Sequence, residues 1–151
     1  ANPYVKLVKD FAAAENSETV VICAKLEAEL VALEEAERAE FLKDLGVDSS
    51  GVGELIKSAY RLLGLMSFLT AGEKEVRAWT INKGSTAPQA AGAIHGDFER
   101  GFIAAEVVRY DDLITAGTLS ASKSAGKVRT EGKTSIMQPD DVVEFRFNVS
   151  K

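Results

Sequence analysis

The feature that most restricts this chain is Thr19-Val20-Val21-Ile22-Cys23, a run of apolar residues with no polar alternation. A strand apolar on both faces belongs inside a parallel sheet covered by helices on each side. The spacing of Tyr4, Leu7, Val8 and Phe11 predicts a helix before it, opened by Asn2-Pro3 as cap and first turn. A Glu-rich helix from about Leu26 to Ala36 is expected after it, with Leu26, Leu30 and Leu33 inward and the acids on a solvated face. Helix, strand, helix makes one βα unit, and one strand is not a parallel sheet. The expectation is a piece of a larger α/β domain, whose orphan strand edge pairs with a second copy or is mobile.

Further on, Phe41, Leu42 and Leu45 suggest a short helix ending at Gly46, and Asp48-Ser49-Ser50 can cap the next. That helix, expected over 51–66, lines up Val52, Leu55, Ile56, Ala59, Leu62, Leu63 and Met66, the strongest helical periodicity in the chain. From Ser67 the pattern changes to strands: 67–70, a turn at Ala71-Gly72, then 75–81 with period two. Val76, Ala78 and Thr80 should share one face, and Arg77, Trp79 and Ile81 the other. Thr86-Ala87-Pro88-Gln89 is a capping-box pattern opening an Ala-rich helix to Ile94. Strands at 102–108, 127–129 and 142–147 follow, with helical turns at 110–114 and 120–125. Charge changes at the same place. Through Met66 there are 7 Lys and Arg against 12 Asp and Glu, whereas from Ser67 on each sign counts 11. We therefore expect two parts, residues 1–66 and 67–151, in an α+β chain whose second part is a small β-grasp module.

Several chemistries are excluded or weak. No apolar run is long enough to span a bilayer, so no membrane partner is expected. The single cysteine, Cys23, cannot form an internal disulfide, which fits a reducing, cytoplasmic setting. Gly132-Lys133-Thr134 imitates the end of a phosphate-binding loop, but the preceding Gly126 is one residue too far away. Asn148-Val149-Ser150 fits a glycosylation acceptor without secretory context. His95, Asp97 and Glu99 read as groups that fix a loop, with a metal or acid–base cluster as the alternative.

Many blocks, in one order, carry a family resemblance: Val76-Arg77-Ala78-Trp79-Thr80, Thr86 to Gly92, Ile94-His95, Asp97-Phe98-Glu99, Gly101-Phe102-Ile103, Ala105-Glu106-Val107, Glu131-Gly132-Lys133 and Phe145 to Val149. They resemble the C-terminal part of the YchF family, Obg-related, ribosome-associated P-loop ATPases or GTPases, and cover its TGS domain, a ubiquitin-like β-grasp module. Ala59-Tyr60, Leu62-Leu63-Gly64-Leu65 and Thr70-Ala71-Gly72 are similar to the same family. Cys23 to Glu29 resembles its last nucleotide-binding motif, which implies that the Ala24 amide and the Lys25 side chain hold a purine base. The family usually has Ser at Cys23, commonly Arg at Ala104, an aromatic at Ser135 and Gly at Asp140.

The resemblance implies ATP or GTP with Mg²⁺ as ligands of a longer parent. This chain carries no phosphate-binding loop and is expected to need no cofactor and to hydrolyse neither nucleotide alone. It also implies a ribosome or RNA partner. The cations that could serve are Arg77, Lys83, Lys123, Lys127, Arg129 and Lys133, with Trp79 as a stacking platform. Each also fits a solvated cation or a core Trp. The other reading of the module is a ubiquitin-like protein-interaction adaptor that binds no RNA.

Overall fold

A computed structural model describes residues 2–47, 49–72 and 75–148. The chain divides into two compact units, Ala1–Leu63 and Gly64–Lys151. Among the described residues there are eight helices and one five-stranded mixed sheet, the α+β class. No described helix is long and apolar enough to cross a membrane.

The first unit is helical: α1 Pro3–Ala14, α2 Ala24–Val31, α3 Glu35–Asp44 and α4 Gly51–Leu62. Asn2 caps α1 by accepting from the Tyr4 amide. The single helix expected over 26–36 is two helices. Glu34 and Glu37 form a reciprocal capping box, which starts α3 and ends α2. Ser50 caps α4, accepting from the Gly53 amide at 3.1 Å, while Asp48 lies outside the described residues. The fourth helix stops at Leu62 rather than Met66, because Gly64 takes a left-handed φ of 64°.

The strand expected at Thr19–Cys23 is not formed. The segment is irregular, and Val21 and Ile22 are exposed. A strand forms only against a partner, and no described residue pairs with this one. Side chains anchor its surroundings instead. Glu18 accepts from the Ser58 hydroxyl and from Arg61 at 2.9 Å, and Glu27 accepts from the Gly51 amide at 2.6 Å. Of the described apolar side chains in this unit only Ala12 and Leu30 are buried, whereas Tyr4, Leu7, Val8 and Phe11 of α1 face solvent.

The second unit holds β1 Leu65–Ala71, β2 Val76–Asn82, α5 Ala87–Ile94, α6 Gly96–Arg100, β3 Phe102–Arg109, α7 Tyr110–Ala116, α8 Leu119–Ser124, β4 Arg129–Glu131 and β5 Asp141–Phe147. The sheet order is β2-β1-β5-β3-β4. Its one parallel contact, β1 with β5 at Leu69↔Val142, brings the first and last strands together. The capping box expected at Thr86 is present, with the Gln89 side chain accepting from the Thr86 amide at 2.8 Å. Ala87, Ala90 and Ala91 turn the small face of α5 onto Met66, Phe68, Ile81, Phe102, Ala105, Val107 and Val143, all buried. Small residues on α5 let the helix backbone lie close to the sheet. The β2 alternation holds: Ile81 is buried and Trp79 half-buried, while Val76, Ala78 and Thr80 are exposed.

Asp140 sits at φ 64°, a left-handed turn position where most L-residues are strained. Asp140→Gly should therefore raise the melting temperature, by a stability gain of about 0.5–1 kcal/mol. An unchanged or lower melting temperature would show that the aspartate is not strained there.

Candidate nucleic-acid interface

The cations singled out in the sequence fall at two places. Arg77 and Trp79 lie on β2, one edge of the sheet, and Lys83 is exposed in the turn after it. Lys127, Arg129 and Lys133 lie at or beside β4, the other edge, and Lys123 on α8. Three strands separate the two edges, roughly 19 Å at ordinary strand spacing. A single stripe through all seven side chains is not what the sheet order produces.

Most of these cations are also paired. Arg77 lies over the Trp79 ring at 4.3 Å and stands 3.8 Å from Glu75. Lys123 reaches the buried Glu106 at 2.5 Å, and Arg146 contacts the same carboxylate from β5. Lys127 pairs with Asp112 at 3.2 Å, and Arg129 with Asp141 at 3.1 Å. Among the described residues, Lys83 and Lys133 have no ion pair. Trp79 is not a free platform. Its Nε1 donates to Thr70 Oγ1 at 2.9 Å, and its ring packs on the core.

Glu106 organises the outer face of β3. The Lys123 ammonium beside it holds its carboxyl below the ordinary range, against the cost of burial and with help from the Arg146 charge. Asp141 behaves oppositely. Burial pushes its carboxyl up, and the bonds from the Gln138 amide and Arg129 offset only part of that. Sequence reading missed both acids. The signal available for Glu106 was an acid inside an apolar strand, Ala104-Ala105-Glu106-Val107-Val108, which a fold tolerates only with a counter-charge.

In the first unit, Ala24 opens α2 and Lys25 follows it. The Cys23 side chain makes no capping bond, in keeping with a thiol's weakness as an acceptor. Ala24 is the first residue of α2, a position whose amide an N-cap side chain does not reach, and the exposed Lys25 Nζ is 4.0 Å from Glu29. An amide and an ammonium at a helix start suit electron-rich acceptors.

His95 closes α5 and caps α6, where its Nδ1 accepts from the Asp97 amide at 3.1 Å. Asp97 pairs with Arg100. Among the described residues no group of three or more His, Cys, Asp or Glu could hold a metal.

Helical unit and mixed-sheet unit define a two-part α+β protein. Residues 65–148 match the family model YchF-GTPase_C, described as a protein of unknown function (DUF933). The chain belongs to the YchF family. It is 53% identical over 148 residues to the "Ribosome-binding ATPase YchF" of Bacillus subtilis, covering 98% of this chain and 40% of that one. To the protein of the same name from Escherichia coli O157:H7 it is 49% identical, covering 98% and 41%. Its fold is similar to the YchF GTPase of Schizosaccharomyces pombe, at TM-score 0.82 and 35% identity over 96% of this chain and 39% of that one. A GTP-binding protein from Pyrococcus horikoshii shares the fold at TM-score 0.67 and 19% identity, over 98% and 42%. The chain thus spans about two fifths of the length of the curated relatives it matches.

Proposed function

We propose that this chain serves as the C-terminal part of a ribosome-associated nucleotide hydrolase. In this reading residues 1–66 are the tail of a nucleotide-binding domain with its connecting helices. Residues 67–151 are a β-grasp TGS module that docks to RNA or ribosome. The observation that carries it is near-complete coverage of the chain, at about half identity, by relatives named ribosome-binding ATPases. The mixed sheet, with its parallel β1–β5 pair and α5 across one face, supports the β-grasp assignment.

The residues of α2 fit a nucleotide base: the Ala24 amide offers a donor and Lys25 a mobile cation at the same helix start. In the longer protein, ATP or GTP with Mg²⁺ would supply the phosphate bond to be broken. The role of this chain is to hold the base, and the cytoplasm is the compartment such a partner implies.

For the sheet unit, Lys83 and Lys133 are the cations best placed to meet phosphate, because no internal acid has to be given up. Lys127 and Arg129 would first have to leave Asp112 and Asp141. RNA affinity should therefore fall when Lys83 and Lys133 are changed together to Glu, and the dependence of log K on log salt should flatten by about two contacts' worth. Filter binding or anisotropy with single-stranded RNA across a salt series measures this. An unchanged affinity and slope would remove RNA from the reading and leave the ubiquitin-like adaptor. The internal pairing of four of the six cations favours that adaptor as the second reading.

A further inference from the structure

The acids that engage the cations at and near the β4 edge are not equivalent. Glu106 meets Lys123 and Arg146, Asp141 meets Arg129, and both acids are buried. Drawing a cation away from either leaves a buried charge without its partner, a costly state. Those three cations are therefore fixed parts of the sheet unit. Asp112 differs. It lies in the first turn of α7, its side chain is 32% exposed, and that of Lys127, 3.2 Å away, is 54% exposed. Water can replace either partner, so this pair opens at little cost. The Lys127 amide donates to the Ser122 oxygen at 2.9 Å. That bond holds the backbone, and release moves only the flexible four-carbon side chain.

We propose that Lys127 is a reserve phosphate-binding residue of the β4 edge, and that Asp112 withholds it. The inference rests on the RNA reading of the sheet unit and adds to it one residue and that residue's internal competitor. Two observations carry it. First, β4 ends the sheet on this side, and Lys127 and Lys133 flank it in sequence. The two lysines stand no more than roughly 20 Å apart, the reach of an extended chain of that length. Lys133 has no ion pair among the described residues, so a polyanion seated on it has a second lysine nearby. Second, the group that engages Lys127 is a carboxylate, and an ammonium that accepts a carboxylate accepts a phosphate oxygen by the same charge-assisted bond. Asp112 thus occupies the ligand's place on Lys127, and does so as the one partly exposed member of the three acids.

Neighbouring Asp111 supplies the control. It is exposed and has no ion pair among the described residues, so Asp111→Asn makes the same change of net charge without releasing a lysine. Labelled dodecauridylate is titrated by anisotropy with the full chain and with Asp112→Asn, Asp111→Asn, Lys127→Gln and the double variant Asp112→Asn with Lys127→Gln. The expected result is that Asp112→Asn binds about threefold tighter than Asp111→Asn. Its log K should also depend more steeply on log salt, by about 0.7, one further single-strand contact. Lys127→Gln alone should change affinity by less than about twofold, yet remove the gain when added to Asp112→Asn. Circular dichroism checks each fold, and Asp112→Ser takes the place of Asp112→Asn if that variant does not fold. Equal affinities of Asp112→Asn and Asp111→Asn would overturn the proposal. So would a gain that survives Lys127→Gln, or a large loss from Lys127→Gln alone, which would show the lysine already engaged. RNA binding by every protein with one affinity would remove this inference and leave the RNA reading in place, whereas no binding by any of them would remove both.

Discussion

Gly101→Ala is expected to destabilise the sheet unit by about 3 kcal/mol, the upper part of the usual range for overpacking. A Cβ on Gly101 would stand 2.2 Å from the carbonyl oxygen of Asn148, 2.9 Å from its carbonyl carbon and 3.2 Å from the carbonyl oxygen of Asp97. All three are backbone atoms, so no rotamer change relieves the contact. Nor can the strands separate cheaply, because the Asn148 amide donates to the Gly101 oxygen at 2.9 Å and Phe102 faces Phe147 in the next rung. The torsions of Gly101 are ordinary, φ −90° and ψ 8°, so the effect is steric and owes nothing to glycine's freedom. Two controls separate this cause from general sensitivity to added methyl groups. At Gly96 the nearest atom to an added Cβ is an Arg100 side-chain nitrogen at 3.7 Å, and Gly96→Ala should change stability by about 0.5 kcal/mol or less. At Gly92 the obstruction is the Glu99 carboxylate at 2.5 Å, a side-chain end that can swing away, so Gly92→Ala should cost less than Gly101→Ala. Urea denaturation of the three variants measures the order. A Gly101→Ala protein as stable as the parent would mean that the β3–β5 end is looser than its hydrogen bonds imply.

What sequence could and could not reveal follows from the range of each interaction. Local signals were legible. The Thr86–Gln89 capping box, the period-two pattern of β2 and the Asn2-Pro3 helix start each depend on residues within a few positions, and each element stands where those residues place it. Local signals also explain two misplacements. Glu34 and Glu37 resemble other acids of a solvated face until their reciprocal capping bonds are seen, and Gly64 inside an apolar run is easily read through. The strand expected over 127–129 appears two residues later, because the Lys127 amide still closes the end of α8 by donating to the Ser122 oxygen at 2.9 Å. The site was less legible because its decisive contacts are long-range. Arg146 is 40 residues from Glu106, and Arg129 is 12 from Asp141. A count of Lys and Arg cannot show that most of them are already engaged.

The segment Thr19–Cys23 is expected to exchange its amide hydrogens at nearly the rate of an unfolded chain. Ala105 and Val107 should be protected about 10⁴-fold or more, as befits groups that open only with the whole unit. None of the five amides from Thr19 to Cys23 donates to a backbone carbonyl or a side chain among the described residues. Ala105 and Val107, by contrast, are buried in a strand flanked by β4 and β5. Composition favours a strand at 19–23, yet composition alone does not make one. Val21 is 55% exposed and Ile22 41%, so the segment lies open to water. Burying those amides unpaired would instead cost about 1–3 kcal/mol each. Among the described residues no strand pairs with the apolar run, and α1 presents Tyr4, Leu7, Val8 and Phe11 exposed in the same unit. Hydrogen exchange read by mass spectrometry at low and high protein concentration tests both halves of this argument. Fast exchange at 19–23 in dilute protein is the expected result, and protection that grows with concentration would mark edge pairing with a second copy. Protection at 19–23 equal to that of β3 in a dilute monomer would show that the segment finds both neighbours within its own chain. The reading of residues 1–66 as a piece of a larger α/β domain would then have to be abandoned.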